Sequence, residues 1–210
     1  MRLFDLLFPP RVDEATLRAI SADEFLALMV PRLVPATRPG AVRLLPFDNA
    51  AVRAAIHEAK YHGSERAFTF LSLALADYLL DADDVRPRRS NMYLVPVPLG
   101  KRRRKERGYN QAEEIARRAL RGLAAEGACP FALEPNLLIR TRETPSQVSL
   151  PREAREENMR GAFGAAHSAD PAYTYIVIDD VITTGATLQA AVDALRSAGA
   201  EHIIPLALAH

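Results

Sequence analysis

Short apolar runs alternate with amphipathic segments along most of the chain. The apolar runs that predict strands are 42–47, 92–97, 136–139, 173–178 and 203–208. Helical spacing of apolar residues, together with capping residues and glycine stops, predicts helices over 49–62, 64–79, 110–124, 151–159 and 187–197. This alternation is typical of an α/β fold, in which helices flank a mostly parallel sheet. Within the last run, Pro205 predicts an edge strand or a bulge.

The first 40 residues follow a different pattern. Prolines interrupt them at positions 9, 10, 31, 35 and 39. Ser21 and Glu24 have the spacing of a capping box, which predicts a short amphipathic helix after Ser21. We therefore interpret residues 1–40 as a small N-terminal appendage and residues 41–210 as the main domain.

Composition narrows the class of protein. Of the 210 residues, 49% are apolar and 25% are charged, as in an ordinary globular protein, so a disordered chain is excluded. The net charge of +1 argues against bulk electrostatic binding of nucleic acid but leaves room for a local basic patch. No apolar run is long enough to span a membrane and the N-terminus lacks the pattern of a signal peptide, so we expect a cytoplasmic protein without membrane insertion.

The single cysteine, Cys129, limits the chemistry further. One cysteine cannot form an internal disulfide, which fits a reducing compartment. It also excludes a cysteine-based zinc site, because such sites use several cysteines. The sequence predicts no metal site built by the protein.

The most informative segment is 176–187, where an apolar strand ends in two acids and a threonine- and glycine-containing loop precedes a helix. Ligands of α/β sheets bind at the carboxyl ends of strands, and a helix N-terminus binds phosphate. Asp179 and Asp180 can accept hydrogen bonds from the vicinal hydroxyls of a ribose. The residues predicted to bind its 5-phosphate are Thr183, Thr184, Gly185, Ala186 and Thr187. The alternative is a solvated acidic turn before a capped helix.

A second candidate anion site follows the strand at 92–97. Prolines and a glycine end this strand, and six cations with one opposing Glu106 come before the next helix. Pyrophosphate fits such a segment, and so does a nucleic-acid backbone, while the alternative is a solvated basic loop. The residues assigned to pyrophosphate are Leu99, Gly100, Lys101, Arg103 and Arg107.

The third segment, 140–163, begins with polar residues and continues with several arginines. Its functional interpretation is a lid that closes over a reactive intermediate and excludes water. We assign catalytic lid roles to Arg142, Gln147 and Arg155. The alternative is a surface loop followed by a charged helix.

Together these segments resemble the ComF family, the competence-associated, GntX-like phosphoribosyltransferases. The run 176–187 also closely resembles the motif with which type I phosphoribosyltransferases bind phosphoribosyl pyrophosphate (PRPP). The matching pieces are Lys60-Tyr61-His62-Gly63, Pro96-Val97-Pro98-Leu99, Arg103, Arg107-Gly108-Tyr109-Asn110-Gln111, Thr144-Pro145-Ser146-Gln147, Leu150, Arg155, Asn158, Arg160, Phe163 and Asp179 to Thr187. The chain departs from the family's usual four-cysteine N-terminal zinc ribbon, since no cysteine precedes Cys129.

The resemblance implies a type I phosphoribosyltransferase-like core with hood elements in the first part of the main domain. It implies a pentosyl transferase that binds PRPP with substrate-bound Mg²⁺ and releases pyrophosphate, and a role in DNA uptake or in the use of imported DNA. Two other functions remain open: a nucleotide- or single-stranded-DNA-binding module without turnover, and a scaffold for DNA-uptake proteins. The acceptor cannot be read from the sequence, and a homodimer is an open alternative to a monomer.

Overall fold

The computed structural model describes residues 11–81, 91–125, 130–143 and 157–210. Its helices are α1 (Val12–Arg18), α2 (Ala22–Leu26), α3 (Ala50–Tyr61), α4 (Glu65–Asp81), α5 (Lys101–Arg107), α6 (Gln111–Ala125) and α7 (Ala186–Ser197). Its strands are β1 (Arg32–Val34), β2 (Ala41–Leu45), β3 (Met92–Pro96), β4 (Phe131–Leu133), β5 (Leu138–Arg140), β6 (Phe163–Ala165), β7 (Thr174–Val181) and β8 (His202–Ala209).

The main sheet has six strands in the order β1-β2-β8-β7-β3-β4. All neighbours from β2 to β4 in this order are parallel, and only β1 runs antiparallel, to β2. A separate antiparallel pair is formed by β5 and β6. This architecture confirms the predicted α/β class with a mostly parallel sheet, and it is consistent with a type I phosphoribosyltransferase-like core.

Helices cover both faces of the sheet, and alternate residues of each strand supply the two cores. On β7, Ile176 and Ile178 belong to the core under α3, α4 and α6. Tyr175 and Val177 belong to the core under α7 and the β5–β6 pair. Because successive side chains of a strand point to opposite faces, the side chains at the end of β7 are also expected to alternate between these two faces.

The N-terminal segment packs onto the main sheet and its helices. The Ser21–Glu24 capping box is present, as predicted, and α2 buries Phe25 against Phe70 with 4.9 Å between ring centroids. The buried carboxylate of Glu58 on α3 accepts two hydrogen bonds from Arg11, of 2.8 and 2.6 Å, which lower the pKa of Glu58. The division of the chain at residue 40 stays a prediction.

Several sequence predictions need correction. Pro205 lies in β8, which is an interior strand between β2 and β7, so the predicted edge or bulge is wrong. Pairing of β8 with β2 begins at Leu206, one residue later, so that side of the strand needs no amide from Pro205. The basic run forms helix α5 rather than a loop. The short strands β1, β4 and β6 were not predicted, and most of the predicted helix 151–159 lies outside the described residues.

Among the residues that the structure describes, no helix combines the length and the apolar character needed to cross a bilayer.

Candidate functional site

A cleft of about 940 Å³ opens at the carboxyl ends of β3 and β7. These two strands are parallel neighbours: Pro96, the last residue of β3, pairs with Ile178, three residues before the end of β7, and Val97 N–H donates to the Ile178 carbonyl. The two candidate anion segments therefore meet at one edge of the sheet, as expected for strands that run parallel. The predicted site residues that line the cleft are Leu99, Arg103, Arg107, Asp179, Asp180, Thr183 and Thr187.

The two acids are the last charged residues of β7 and point to opposite faces of the sheet. Asp180 continues the face of Ile178, toward α3 and α6, and it is buried. Lys60 Nζ of α3 lies 2.9 Å from Asp180 Oδ1, and Gln111 Nε2 of α6 donates to Asp180 Oδ2. Both oxygens of this carboxylate are thus held by side chains of the protein.

Asp179 continues the face of Val177, on the other side of the sheet. Its Oδ1 accepts the main-chain N–H of Asp180 at 2.8 Å. Burial, followed by the negative charge of Asp180, raises the pKa of Asp179 to about 7, while Lys60 and Arg103 oppose the shift. A bound cation or hydroxyl donor would favour the charged form and so lower this pKa.

The predicted phosphate loop, 183–187, wraps a small concavity of about 60 Å³. Gly185 is the residue that caps α7, with φ of +83°. A Cβ at this position would lie 2.2 Å from the Ala36 carbonyl oxygen, so the turn requires glycine for both conformation and space. Thr183 and Thr187 face the main cleft, whereas Thr184 and Ala186 line a different cavity.

The basic segment forms α5, which lies between Gly100 at its start and Gly108 in the left-handed conformation at its end. Arg103 and Arg107 reach into the cleft, but Gly100 and Lys101 are not among its lining residues. The main-chain N–H of Lys101 instead donates to Glu143 Oε1 at 2.7 Å. A carboxylate of the protein thus occupies one of the amides predicted to receive pyrophosphate.

The predicted lid is only partly within the described residues. Arg142 is exposed and donates to the carbonyls of Asn158 and Arg160 at 3.0 and 2.7 Å, which ties the end of β5 to the turn before β6. Gln147 and Arg155 lie outside the described residues. The lid roles of all three residues stay predictions.

Arg140, Lys60 and Gln111 are cleft residues to which the sequence interpretation gave no role. Arg140, at the end of β5, lines the cleft, and burial lowers its pKa despite the opposing charge of Glu143. Lys60 and Gln111 hold Asp180. Lys60 and Gln111 both occur in segments that match the ComF family, which was the one signal that could have singled them out.

Two tyrosines also line the cleft. Tyr61, at the end of α3, is 62% exposed, and the Arg107 guanidinium lies 5.2 Å from the centre of its ring. Tyr109 donates from its hydroxyl to the Ala59 carbonyl at 2.6 Å, which fixes α3 against the start of α6. Tyr61 and Tyr109 therefore present planar side chains in the same cleft as the acid pair.

A larger cavity, of about 1120 Å³, lies behind the phosphate loop. It is lined by the segment before β2, by β6 and by α7, and it contains only Thr184 and Ala186 of the predicted site residues. The smaller cleft is the better candidate because the acid pair, four arginines and two loop threonines converge there.

Comparison with known proteins agrees with the resemblance. The chain is 35% identical to competence protein F of Haemophilus influenzae over 112 residues, which are 52% of this chain and 46% of that protein. It is 28% identical to the DNA utilization protein YhgH of Escherichia coli K12 over 133 residues, 63% of this chain and 56% of that protein. The chain thus spans about half the length of these curated relatives. No family model matches it. These similarities confirm the resemblance to the ComF family.

Proposed function

We propose that this chain, like the ComF family that it resembles, is a phosphoribosyltransferase-like protein that binds PRPP, or a nucleotide that contains ribose 5-phosphate, in the cleft at the ends of β3 and β7. We further propose that it transfers the phosphoribosyl group to an acceptor with loss of pyrophosphate. The observation that carries the proposal is the convergence of the Asp179–Asp180 pair, the phosphate-loop threonines and the arginines of α5 at one sheet edge.

Each part of the ligand has a matching set of groups in this assignment. The carboxylates of Asp179 and Asp180 accept hydrogen bonds from the ribose hydroxyls. The amides and hydroxyls of loop 183–187, at the N-terminus of a 12-residue helix, receive the 5-phosphate. Pyrophosphate is assigned to the side of the cleft that Arg103 and Arg107 line.

The chemistry asked of the protein is mainly electrostatic. When pyrophosphate leaves, positive charge develops on the ribose ring and negative charge on the leaving group. Arg103, Arg107 and Arg140 line the cleft with the acid pair. In the proposal these arginines are assigned to the leaving group and the acid pair to the sugar. Mg²⁺ enters as part of the substrate, and a pair of carboxylates with bound water suits its preference for oxygen ligands. The remaining task of the cleft is to hold the acceptor in line.

The biological setting follows from the relatives. Competence protein F and DNA utilization protein YhgH carry names that refer to competence and to the use of DNA. We extend that setting to this chain as part of the proposal. Single-stranded DNA or DNA-uptake proteins are the partners that it implies.

A second candidate function is a module that binds a nucleotide or a DNA backbone without turnover. Every residue of α5 is at least partly exposed, and Lys101 and Lys105 lie on it outside the cleft. An exposed row of cations suits a phosphate backbone as well as pyrophosphate. This alternative needs the phosphate-binding parts of the site but makes no use of the acid pair.

Calorimetric titration with PRPP and Mg²⁺ separates the two functions. The proposal expects PRPP to bind, pyrophosphate to compete with it, and pyrophosphate to be released when a suitable base, nucleoside or amine is added. Binding of single-stranded DNA and inorganic phosphate without binding of PRPP would instead support the module.

A further inference from the structure

Lys60 lies in the last turn of α3 and takes no part in the assignment above. Its side chain is 20% exposed and that of its partner Asp180 is 10% exposed. Ion pairs at the protein surface are weakened by solvent and salt, but a pair this far buried is much less screened. A lysine placed against one member of the acid pair therefore affects how that pair can receive a ligand.

Side chains from two helices contact the Asp180 carboxylate, one at each oxygen. Lys60 Nζ of α3 lies 2.9 Å from Oδ1, and Gln111 Nε2 of α6 donates to Oδ2. Gln111 is itself fixed, because its Oε1 accepts a hydrogen bond of 2.8 Å from Arg107 Nη1. The orientation of Asp180 is thus set by a chain of contacts that begins at the cationic side of the cleft.

Asp179 has a different environment. Its carboxylate accepts the backbone N–H of Asp180 at 2.8 Å and points to the other face of the sheet. The charged groups that face it are Asp180 of β7, Lys60 of α3, Arg103 of α5 and Arg140 of β5. Lys60 therefore contacts one acid directly and acts on the other through its charge.

We infer that Lys60 is a positioning residue of the ribose site: it anchors Asp180 Oδ1, as Gln111 anchors Oδ2, so that both carboxylates meet the ribose hydroxyls in one fixed arrangement. The inference rests on the proposed function and assigns a role to the Lys60–Gly63 segment. A carboxylate keeps further lone pairs when each oxygen accepts one hydrogen bond, so the anchored Asp180 can still accept a hydroxyl. Without Lys60, two neighbouring carboxylates would repel each other with less compensation.

The test compares Lys60→Met with Lys60→Arg, and uses Arg121→Met, at an exposed residue of α6 outside the cleft, as the control for loss of one positive charge. Calorimetry measures the affinity for ribose 5-phosphate and for inorganic phosphate. We expect Lys60→Met to lose about tenfold in ribose 5-phosphate affinity, about 1.4 kcal/mol. Affinity for inorganic phosphate should change by less than about twofold, since Lys60 pairs with Asp180 and inorganic phosphate carries no ribose hydroxyl for that acid to bind. Lys60→Arg should retain most of the binding, and Arg121→Met should behave as the wild type.

A second readout does not depend on any ligand. A ¹³C NMR titration of the Asp179 carboxyl follows its pKa directly in each variant. Loss of the Lys60 charge should raise the pKa of Asp179 further, whereas Lys60→Arg should leave it close to the wild-type value. A lysine that served only to pack α3 on the sheet would not produce this pattern.

The outcomes separate failure of the inference from failure of the proposed function. Wild-type affinity for ribose 5-phosphate together with an unchanged Asp179 pKa in Lys60→Met would overturn the positioning role. If the wild type binds neither PRPP nor ribose 5-phosphate, the proposed function fails, and the titration alone decides whether Lys60 governs the acid pair. Should Lys60→Met not fold, Lys60→Gln keeps a polar group of similar length and is judged by the same two measurements.

Discussion

The two ends of the cleft are built in different ways. The end after β7 consists of a strand terminus, a tight loop and the start of α7, and its shape is set by buried backbone. The end after β3 consists of α5, whose residues are all at least partly exposed and present long cationic side chains. The difference suggests a division of work, in which the β7 end recognises a ligand of fixed shape and the α5 end supplies adjustable charge.

Contacts around the two ends agree with this division. Behind Gly185 lies the Ala36 carbonyl, and the neighbouring Asp180 is held by two side chains. On α5, Arg102 pairs with Glu106 at 3.5 Å, with side chains 75% and 60% exposed. Exposed pairs of this kind contribute little to stability and rearrange readily. Substitutions at the β7 end should therefore have large, local effects, and those at α5 small, salt-dependent ones.

The largest effect is expected for Gly185→Ala. The new Cβ would meet the Ala36 carbonyl oxygen at 2.2 Å in a conformation with φ of +83°. We expect unfolding by urea to show a loss of about 3 kcal/mol, because overpacking and left-handed strain act together.

Gly108→Ala is the matched control for this substitution. Gly108 also has positive φ, +79°, but a Cβ there would meet no atom within 4 Å. It should lose only about 1 kcal/mol, from conformational strain alone. Equal losses in the two variants would mean that the loop yields to the Ala36 contact, and the comparison of a rigid with an adjustable end would fail.

The next effect concerns the acid pair. Replacement of both Asp179 and Asp180 by Asn keeps the shape of the site but weakens two acceptors and removes their charge. We expect PRPP affinity to fall by at least about tenfold, or 1.4 kcal/mol, in calorimetric titration, while inorganic phosphate still binds the loop. Asp193→Asn, on the exposed side of α7, controls for loss of an acid close to the loop. Wild-type PRPP affinity in the folded double variant would overturn the ribose assignment.

A separate effect should appear in the pH dependence of stability. The pKa of Asp179 is raised to about 7 in the folded protein, so the folded state binds a proton that the unfolded state has already released. Between the ordinary aspartate range and about pH 7, stability should therefore fall as the pH rises. Urea unfolding at a series of pH values should show this slope in the ligand-free protein, and Asp179→Asn should reduce it. A slope that is the same in both proteins would assign the dependence to other groups.

Sequence patterns predicted the sheet class, most helices and the edge at which the site lies, because each of these depends on local periodicity. The side-chain contacts that hold Asp180 could not be predicted from local periodicity, since Gln111 lies 69 residues away along the chain. Strand order is a long-range property too, and for that reason an edge position was wrongly inferred from Pro205. The opposite directions of the two acids did follow from the period of a strand, but only once β7 was seen to continue to Val181.

For helix α5, by contrast, the sequence did contain a local signal for a helix, but the run of like charges was given more weight. A run of like charges favoured a solvated loop. Arginine and lysine are nevertheless good helix formers, and the run lies between two glycines, one of which adopts the left-handed conformation typical of a helix end. The adjustable end of the cleft is therefore a regular element whose adjustability resides in its side chains.

The smallest effect is expected for substitution of Glu143, whose carboxylate hydrogen-bonds to the first residue of α5. Its Oε1 accepts the Lys101 N–H at 2.7 Å, and Oε2 lies 2.6 Å from where a Cβ of Gly100 would be. An incoming pyrophosphate must displace this carboxylate to reach the amide, and it also meets its negative charge. Glu143→Gln should therefore strengthen binding of inorganic pyrophosphate by about threefold at low salt and by less at high salt, because Glu143 is exposed.

Glu201→Gln provides the control, since it removes the same charge from an exposed residue just before β8. Its pyrophosphate affinity, measured by calorimetry at the same two salt concentrations, should stay within error of the wild type. A gain shared equally by both variants would reflect net charge alone. A loss of affinity in Glu143→Gln would mean that the carboxylate supports the α5 end instead of competing with the ligand, and the α5 end would then be as firmly built as the β7 end.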